Sequence, residues 1–263
     1  MPNWVRNRVK IEGNFDLIKE RLCGEEHFNG EEVEYNEFDF NKIIPKPKTM
    51  GITSGGNDKV AMQYAISKKS PKERLELKKL LENKKTSFYG NYYEKIYGHK
   101  ITKEEMEKEK DKFENQTLKG KDIDFENIDY KSLRIESFED LGNTYLNNII
   151  QYGCDSWYDW CCKYWGTKWN SSGALIVDNN TYEFDTAWST PYEVLVELSK
   201  QFPNSKISVD YADEDIGNNC GGYILKNGKL IAEYYGDDDF ALDLWGYDEE
   251  MKKEFYEECR NND

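Results

Sequence analysis

Hydrophobic and polar positions in this chain follow two periods. Over residues 4–11, Val5, Val9 and Ile11 are interleaved with Arg6, Arg8 and Lys10, which predicts a strand. Asn14 offers a cap to a helix carrying Leu17, Ile18 and Leu22 at helical spacing. A glutamate-rich loop with Gly24 and Gly30 follows. Residues 38–44 alternate and then run apolar, a second predicted strand that Pro45 and Pro47 end. Residues 71–85 predict a helix, with Pro71 in its first turn and Leu75, Leu77, Leu80 and Leu81 inside. Residues 102–115 predict a second, very polar helix, with Thr102 and Glu105 forming a capping box.

The longest predicted helix spans 140–165. Leu141, Tyr145, Ile149, Trp157, Trp160, Cys161 and Tyr164 recur at three- and four-residue steps, with Gly153 a weak point and Gly166 a stop. Strands over 174–177 and 181–184 are joined by Asp178-Asn179-Asn180. Thr190-Pro191-Tyr192-Glu193 reads as a helix start: threonine caps, proline takes the first helical position, and Glu193 reaches back. Val194, Leu195 and Leu198 form its buried stripe, and Pro203 closes it. Ile207, Val209 and Tyr211 alternate as a half-buried strand. Asn227-Gly228 turns a hairpin between 222–226 and 229–235. An acidic helix is expected over 248–260. Gly55-Gly56 and Gly221-Gly222 read as turn glycines.

This order predicts an α+β, ferredoxin-like fold: a mainly antiparallel sheet with the helices at 141–165 and 190–202 on one face, plus a charged helical insertion. The core domain is assigned to 1–45 and 139–263, and the insertion to 46–138, which holds 21 bases and 16 acids. No repeat with a period of 20–50 residues is seen.

Composition sharpens this picture. The chain of 263 residues is only 38% hydrophobic but 14% aromatic, so aromatic rings must supply much of the core. The net charge is −15, and residues 178–263 hold 21 acids against 7 bases. Such a surface repels phosphate backbones, which argues against direct nucleic-acid binding. No apolar run approaches the ~20 residues of a membrane span, and the N-terminal residues lack the regions of a signal peptide. A cytoplasmic location with six reduced cysteines is expected. None of them forms a CxxC pair and only His27 and His99 are present, so no zinc site and no cofactor is expected. Cys154 and Cys161 lie seven apart and are expected to pack in the interior.

Four of the seven tryptophans fall between residues 160 and 188, around Trp165-Gly166-Thr167-Lys168-Trp169 and Phe184-Asp185-Thr186-Ala187-Trp188. These two motifs resemble the YubB ferredoxin-like domain family of plasmids and phages. So do Met1-Pro2-Asn3-Trp4 with Asn7, and Phe38-Asp39-Phe40-Asn41-Lys42-Ile43-Ile44-Pro45. Tyr192 departs from the family, whose members often carry a second proline there. The resemblance covers both ends of the chain and omits most of 46–138. It implies a ferredoxin-like fold and a bacterial or phage cytoplasmic setting, and it brings no enzyme activity and no catalytic residues.

Chemistry has few footholds. With two histidines, nucleophile–histidine catalysis is disfavoured, and no phosphate-binding glycine loop occurs. Asp213-Glu214-Asp215 and Asp237-Asp238-Asp239 lack the glycine of a calcium loop. What remains is an aromatic and amide set: Asn3, Trp4, Asn7, Trp165, Thr167, Lys168, Trp169 and Trp188. As core, the indoles fill space and Lys168 snorkels. As a pocket, the indoles stack on a flat ring, Lys168 meets phosphate or carboxylate, and the asparagines read donors and acceptors. The leading expectation is a non-enzymatic binding protein of a mobile element. It would capture a small nucleotide-like signalling molecule and counter host immunity. The alternative is an acidic inhibitor or nucleic-acid mimic that occupies a basic host protein, and a metal-dependent hydrolase ranks third. A homo-oligomer is compatible with each.

Overall fold

The computed structural model describes residues 3–28, 32–55, 58–86, 90–119 and 128–262. Met1, Pro2, Gly30 and Gly56, which enter the sequence reading, lie outside them. The first strand, β1 (Trp4–Glu12), buries Val5, Asn7, Val9 and Ile11 and leaves Arg6 and Arg8 half-buried on the other side. Helix α1 (Phe15–Leu22) buries Ile18 and Leu22. Asn14 does not cap it: its backbone is left-handed (φ 55°), and its amide donates instead to Ser205 Oγ at 3.2 Å. The glutamate-rich stretch forms a separate antiparallel pair, β2 (Gly24–Phe28) and β3 (Glu32–Asn36), where a loop is predicted. Residues 38–44 are not a strand. Asp39 Oδ1 accepts from the Asn41 backbone N–H at 2.9 Å and tightens the chain into a 3-10 turn at Phe40–Lys42. A local side-chain acceptor has here outcompeted the sheet ladder.

Residues Lys46–Lys163 form a compact unit of their own. It comprises α2 (Asp58–Lys68), α3 (Pro71–Glu82), α4 (Tyr92–Tyr97), α5 (Lys103–Lys112), α6 (Phe138–Tyr152) and α7 (Trp157–Tyr164) up to its last residue. Capping boxes start α3 (Ser70 with Glu73) and α5 (Thr102 with Glu105). The single helix predicted over 140–165 is two helices, because Gly153 takes φ 69° and ends α6. Phe138, Leu141, Tyr145, Leu146 and Ile149 of α6 share a core with Ala61, Met62 and Ala65 of α2 and with Leu77, Leu81 and Phe113. Residues 139–163 therefore belong to one unit with 46–138, and the sheet belongs to the other. The apolar stripe of α6 is satisfied by α2, and Gly142 permits their close approach. Lys95 is buried between Asp58 (2.8 Å) and Asp155.

Residues Met1–Pro45 and Tyr164–Asp263 form the second unit. Its later elements are β4 (Ser172–Asp178), β5 (Thr181–Ala187), α8 (Tyr192–Gln201), β6 (Lys206–Asp213), β7 (Cys220–Lys226), β8 (Lys229–Tyr235), α9 (Asp238–Leu244) and α10 (Glu249–Asn262). The sheet order is β4-β5-β1-β6-β7-β8, and every neighbouring pair is antiparallel. The connection through α1 carries β1 past β5 to β4, and α8 carries β5 past β1 to β6. These two split βαβ units make the ferredoxin-like core, and the β7–β8 hairpin extends it.

Tyr182, Val9, Val209 and Tyr223 lie in one cross-strand row. Phe15 of α1 packs on Tyr182 and Tyr192 of α8 on Tyr223, so both crossover helices cover the same face. Beyond this core, α9 packs on Ala212 and Cys220. The predicted cap of α8 does not form, because the Thr190 hydroxyl bonds the Tyr223 hydroxyl at 2.8 Å and no side chain caps the helix. Asn227 and Gly228 both have positive φ, as a two-residue hairpin turn requires. Gly221 and Gly222 are not turn residues. They lie within β7, where a Cβ on Gly221 would strike the Tyr234 carbonyl oxygen.

Two outcomes follow for the helical unit. A methyl group at Gly142 would collide with the Ala61 carbonyl and Ala65 Cβ. Gly142→Ala is therefore expected to destabilise this unit by about 1–3 kcal/mol, read as a lower denaturation midpoint. Cys154 and Cys161 are both buried, and burial pushes each thiol up to about 12. Against about 8.5 in an unfolded chain, their contribution to stability is complete below about pH 8.5 and is lost as pH rises toward 12. Denaturation at stepped alkaline pH should show that decline, and it should be smaller in the double variant with both cysteines replaced by alanine.

Candidate functional site

The candidate site rests on an aromatic cluster. Phe38 and Phe40 pack on Phe184 at 4.7 and 6.0 Å between centroids, and Phe40 packs edge-on against Trp165 at 5.7 Å. The Trp165 indole N–H donates to the Ile44 carbonyl at 2.9 Å. Asn170 donates to Asp39 Oδ1 at 2.8 Å, and the Ser171 hydroxyl bonds the Phe38 carbonyl at 2.6 Å. Both ends of the 165–171 segment are thus fastened inward. Gly166 (φ 76°) turns the chain after Trp165, and the Thr167 hydroxyl is buried against the Ala187 carbonyl at 2.7 Å. Lys168 and Trp169 are left facing outward.

There they meet two other indoles. The ring of Trp4 lies 5.7 Å from that of Trp169, tilted by 39°. Lys168 Nζ sits 4.2 Å from the centre of Trp169 and 5.2 Å from that of Trp188. Trp188 is 41% exposed and has φ 71°, a backbone region that bulky residues avoid. Its N–H donates to the Asn3 carbonyl at 2.9 Å, and its carbonyl accepts from Asn219 at 3.1 Å. Asp213 accepts from Asn3, Asn219 and the Asp215 backbone, and Glu214 accepts from the Trp4 backbone. The strained backbone is therefore pinned from both sides by amides that converge on one buried carboxylate.

Of the residues that the sequence singles out, the structure brings together Asn3, Trp4, Lys168, Trp169 and Trp188. It does not bring Asn7, Trp165 or Thr167 to this surface. All three are buried and bonded within the fold. The alternation of β1 turns Asn7 to the helix-covered face, where its amide donates to the Val5 carbonyl (2.9 Å) and to Thr186 Oγ1 (2.8 Å). Its own Oδ1 has no partner. Asp213, Glu214 and Asn219 complete the surface group, and only the turn-prone Asn218-Asn219 pair marks the last of these in the sequence. Among the described residues no group of three or more His, Cys, Asp or Glu is placed to hold a metal ion. The acidic run 237–239 is used locally: Asp237 caps α9 through the Phe240 N–H, and Asp239 accepts from the Tyr256 hydroxyl.

Asn7→Ala removes the donor that serves Val5 and Thr186 inside the sheet. A loss of about 1–3 kcal/mol in unfolding free energy is expected, measured by chemical denaturation.

Comparison with known proteins finds a ferredoxin-like family model over part of the chain. Residues 164–257 match the family model described as the ferredoxin-like domain in Api92-like protein. Among solved structures, the chain is similar to the crystal structure of protein api92 from Yersinia pseudotuberculosis. Identity is 13%, the match covers 90% of this chain and 98% of that one, and the TM-score is 0.41. No curated protein matches. The matched span, which runs from the last residue of α7 into α10 and holds both Trp169 and Trp188, is similar to the ferredoxin-like domain in Api92-like protein.

Proposed function

We propose that this protein is a non-enzymatic binding protein that captures a planar, nucleotide-like anion on the indoles of Trp4, Trp169 and Trp188 beside Lys168. Trp188 carries the reading. Backbone strain of this kind costs about 1–3 kcal/mol, and burial of an indole would ordinarily offset it. Here much of the ring stays in water. The strain holds an aromatic face outward, and such faces are worth ~1–3 kcal/mol per stacked base. Lys168 is already ordered against two rings, so little side-chain freedom is lost when an anion arrives. The nearby carboxylates of Asp213 and Glu214 accept hydrogen bonds from the fold itself.

A protein that sequesters a ligand needs no nucleophile. In the plasmid or phage setting that the YubB resemblance implies, capture of a signalling nucleotide would blunt a host defence. A second reading, an acidic surface for a basic protein partner, is favoured by the exposed Glu249, Glu250, Glu254, Glu257 and Glu258 of α10.

Tryptophan fluorescence during titration with adenosine 5′-monophosphate, and with adenosine, tests the first reading. Trp188→Gly relieves the strained φ, so its melting temperature should stay within a few degrees of the parent while quenching is lost. Lys168→Ala should weaken the monophosphate about tenfold, as loss of a charged partner does, and leave adenosine unchanged. Undiminished binding in both variants would reject the site. Binding lost only on charge reversal along α10 would favour the acidic surface.

A further inference from the structure

A second aromatic site lies in the same unit, and none of its described wall residues is a tryptophan. A cavity of about 300 Å³ opens between the start of α8 and the edge strand β8. Its walls include Tyr192, Tyr211, Tyr223 and Tyr235, with Glu233 at the rim. The sheet register explains how they meet. Tyr211 and Tyr235 both pair with Gly221, one from each side, so the two side chains stand on one face with no side chain between them. Tyr223 lies two residues further along β7 on that same face and pairs with Glu233. Tyr192 enters from α8, edge-on to Tyr223 at 5.2 Å and 68°. Tyr211 is tilted against Tyr223 by 48° at 6.0 Å. α8 packs over β6 and β7, whereas every residue of β8 is exposed and Tyr235 is 90% exposed. The cavity is therefore walled on one side and open on the other.

We propose that this cavity binds the trimethylammonium group of an organic cation. The negative faces of aromatic rings attract a cation within ~6 Å, and alkylated ammonium ions, which shed water easily, gain most. Tyr223 meets Tyr192 at 68° and Tyr211 at 48°, so neither pair is a parallel sandwich for a flat molecule, whereas a rounded ammonium needs no parallel pair. Among the described wall residues Glu233 supplies the one formal charge, and none is lysine or arginine. Tyr223 is buried and its hydroxyl is tied to Thr190 at 2.8 Å, so the inner wall is ordered in advance. The Tyr211 hydroxyl titrates above the ordinary range, from burial first and then from Cys220, Tyr235 and Glu233. The site shares no described wall residue with the indole surface, and its proposed ligand has the opposite charge.

Calorimetric titration with choline, with its neutral isostere 3,3-dimethyl-1-butanol, and with a peptide bearing Nε-trimethyl-lysine tests the proposal. Choline or the peptide should bind, and the isostere should bind at least about tenfold more weakly, because only the charge differs. The tighter of the two cations identifies the source as a free molecule or a protein side chain. Tyr211→Leu should reduce affinity about tenfold. Glu233→Gln, on the exposed edge where folding is not at stake, should reduce it several-fold and flatten its salt dependence. Trp188→Gly should leave choline binding unchanged, which separates this site from the nucleotide reading. Equal binding of the neutral isostere, no binding of either cation, or full affinity in both cavity variants would overturn the proposal.

Discussion

The packing of Phe38 and Phe40 on Phe184 and Trp165 is the contact on which the sheet unit depends. The chain leaves this unit at Pro45 and returns at Tyr164, with a complete helical unit between. Closing so long an excursion costs entropy that grows only slowly with length, but the two ends must still be held in one place. The aromatic edge contacts, the Trp165–Ile44 hydrogen bond and the Asn170 and Ser171 bonds to residues 36–39 do this together. The motif residues at 38–45 and at 165 thus form a clasp.

The clasp also sets what faces outward. With Trp165 and Thr167 drawn in and Asn170 and Ser171 fastened to the 36–41 segment, Lys168 and Trp169 have no interior position open to them. Trp188 is fixed independently, by Asn3 and Asn219 acting on its backbone. An aromatic surface fixed by two separate networks is stiff, and a stiff surface gives up little entropy when something lands on it. The tyrosine cavity shows the same logic on the strand edge. Its walls come from α8, β6, β7 and β8, and a hydroxyl tether to Thr190 holds its inner wall.

Several parts of this fold are legible in the chain because one local rule governs each. Alternation places β1 and β6, the Asn-Gly pair places the β7–β8 turn, and the Thr102–Glu105 box starts α5. The failures share a different cause. At Asp39 and Thr190 a side chain chose a partner that local spacing does not reveal, a turn amide in one case and the distant Tyr223 hydroxyl in the other. At α6 the apolar stripe correctly predicts burial, but periodicity cannot say against which partner, and α2 wins over the sheet. Of the indole surface, the tryptophans and Lys168 stand out by residue type. Asn7 shares a motif with Trp4, but its odd position on β1 turns it inward. The tyrosine cavity is not legible in the sequence because its members come from four elements.

Charge separates these two surfaces more sharply than shape does. The arginines of β1 are already matched: Arg6 pairs with Asp185 at 3.0 Å and Arg8 with Glu183 at 2.9 Å, and the Arg6 guanidinium also lies over Trp245 at 4.4 Å. Other acids are taken up in caps, such as Asp237 at α9 and Asp248 before α10. The negative field therefore comes mainly from the exposed acids of α10 and from isolated carboxylates such as Glu233. At physiological ionic strength that field decays over about 8 Å. Recognition is then decided by the groups in direct contact. An ammonium resting on two indoles favours an anion, and a carboxylate beside four tyrosine rings favours a cation. One acidic domain can thus hold opposite preferences at two places, because each is set by its nearest few side chains and not by the net charge.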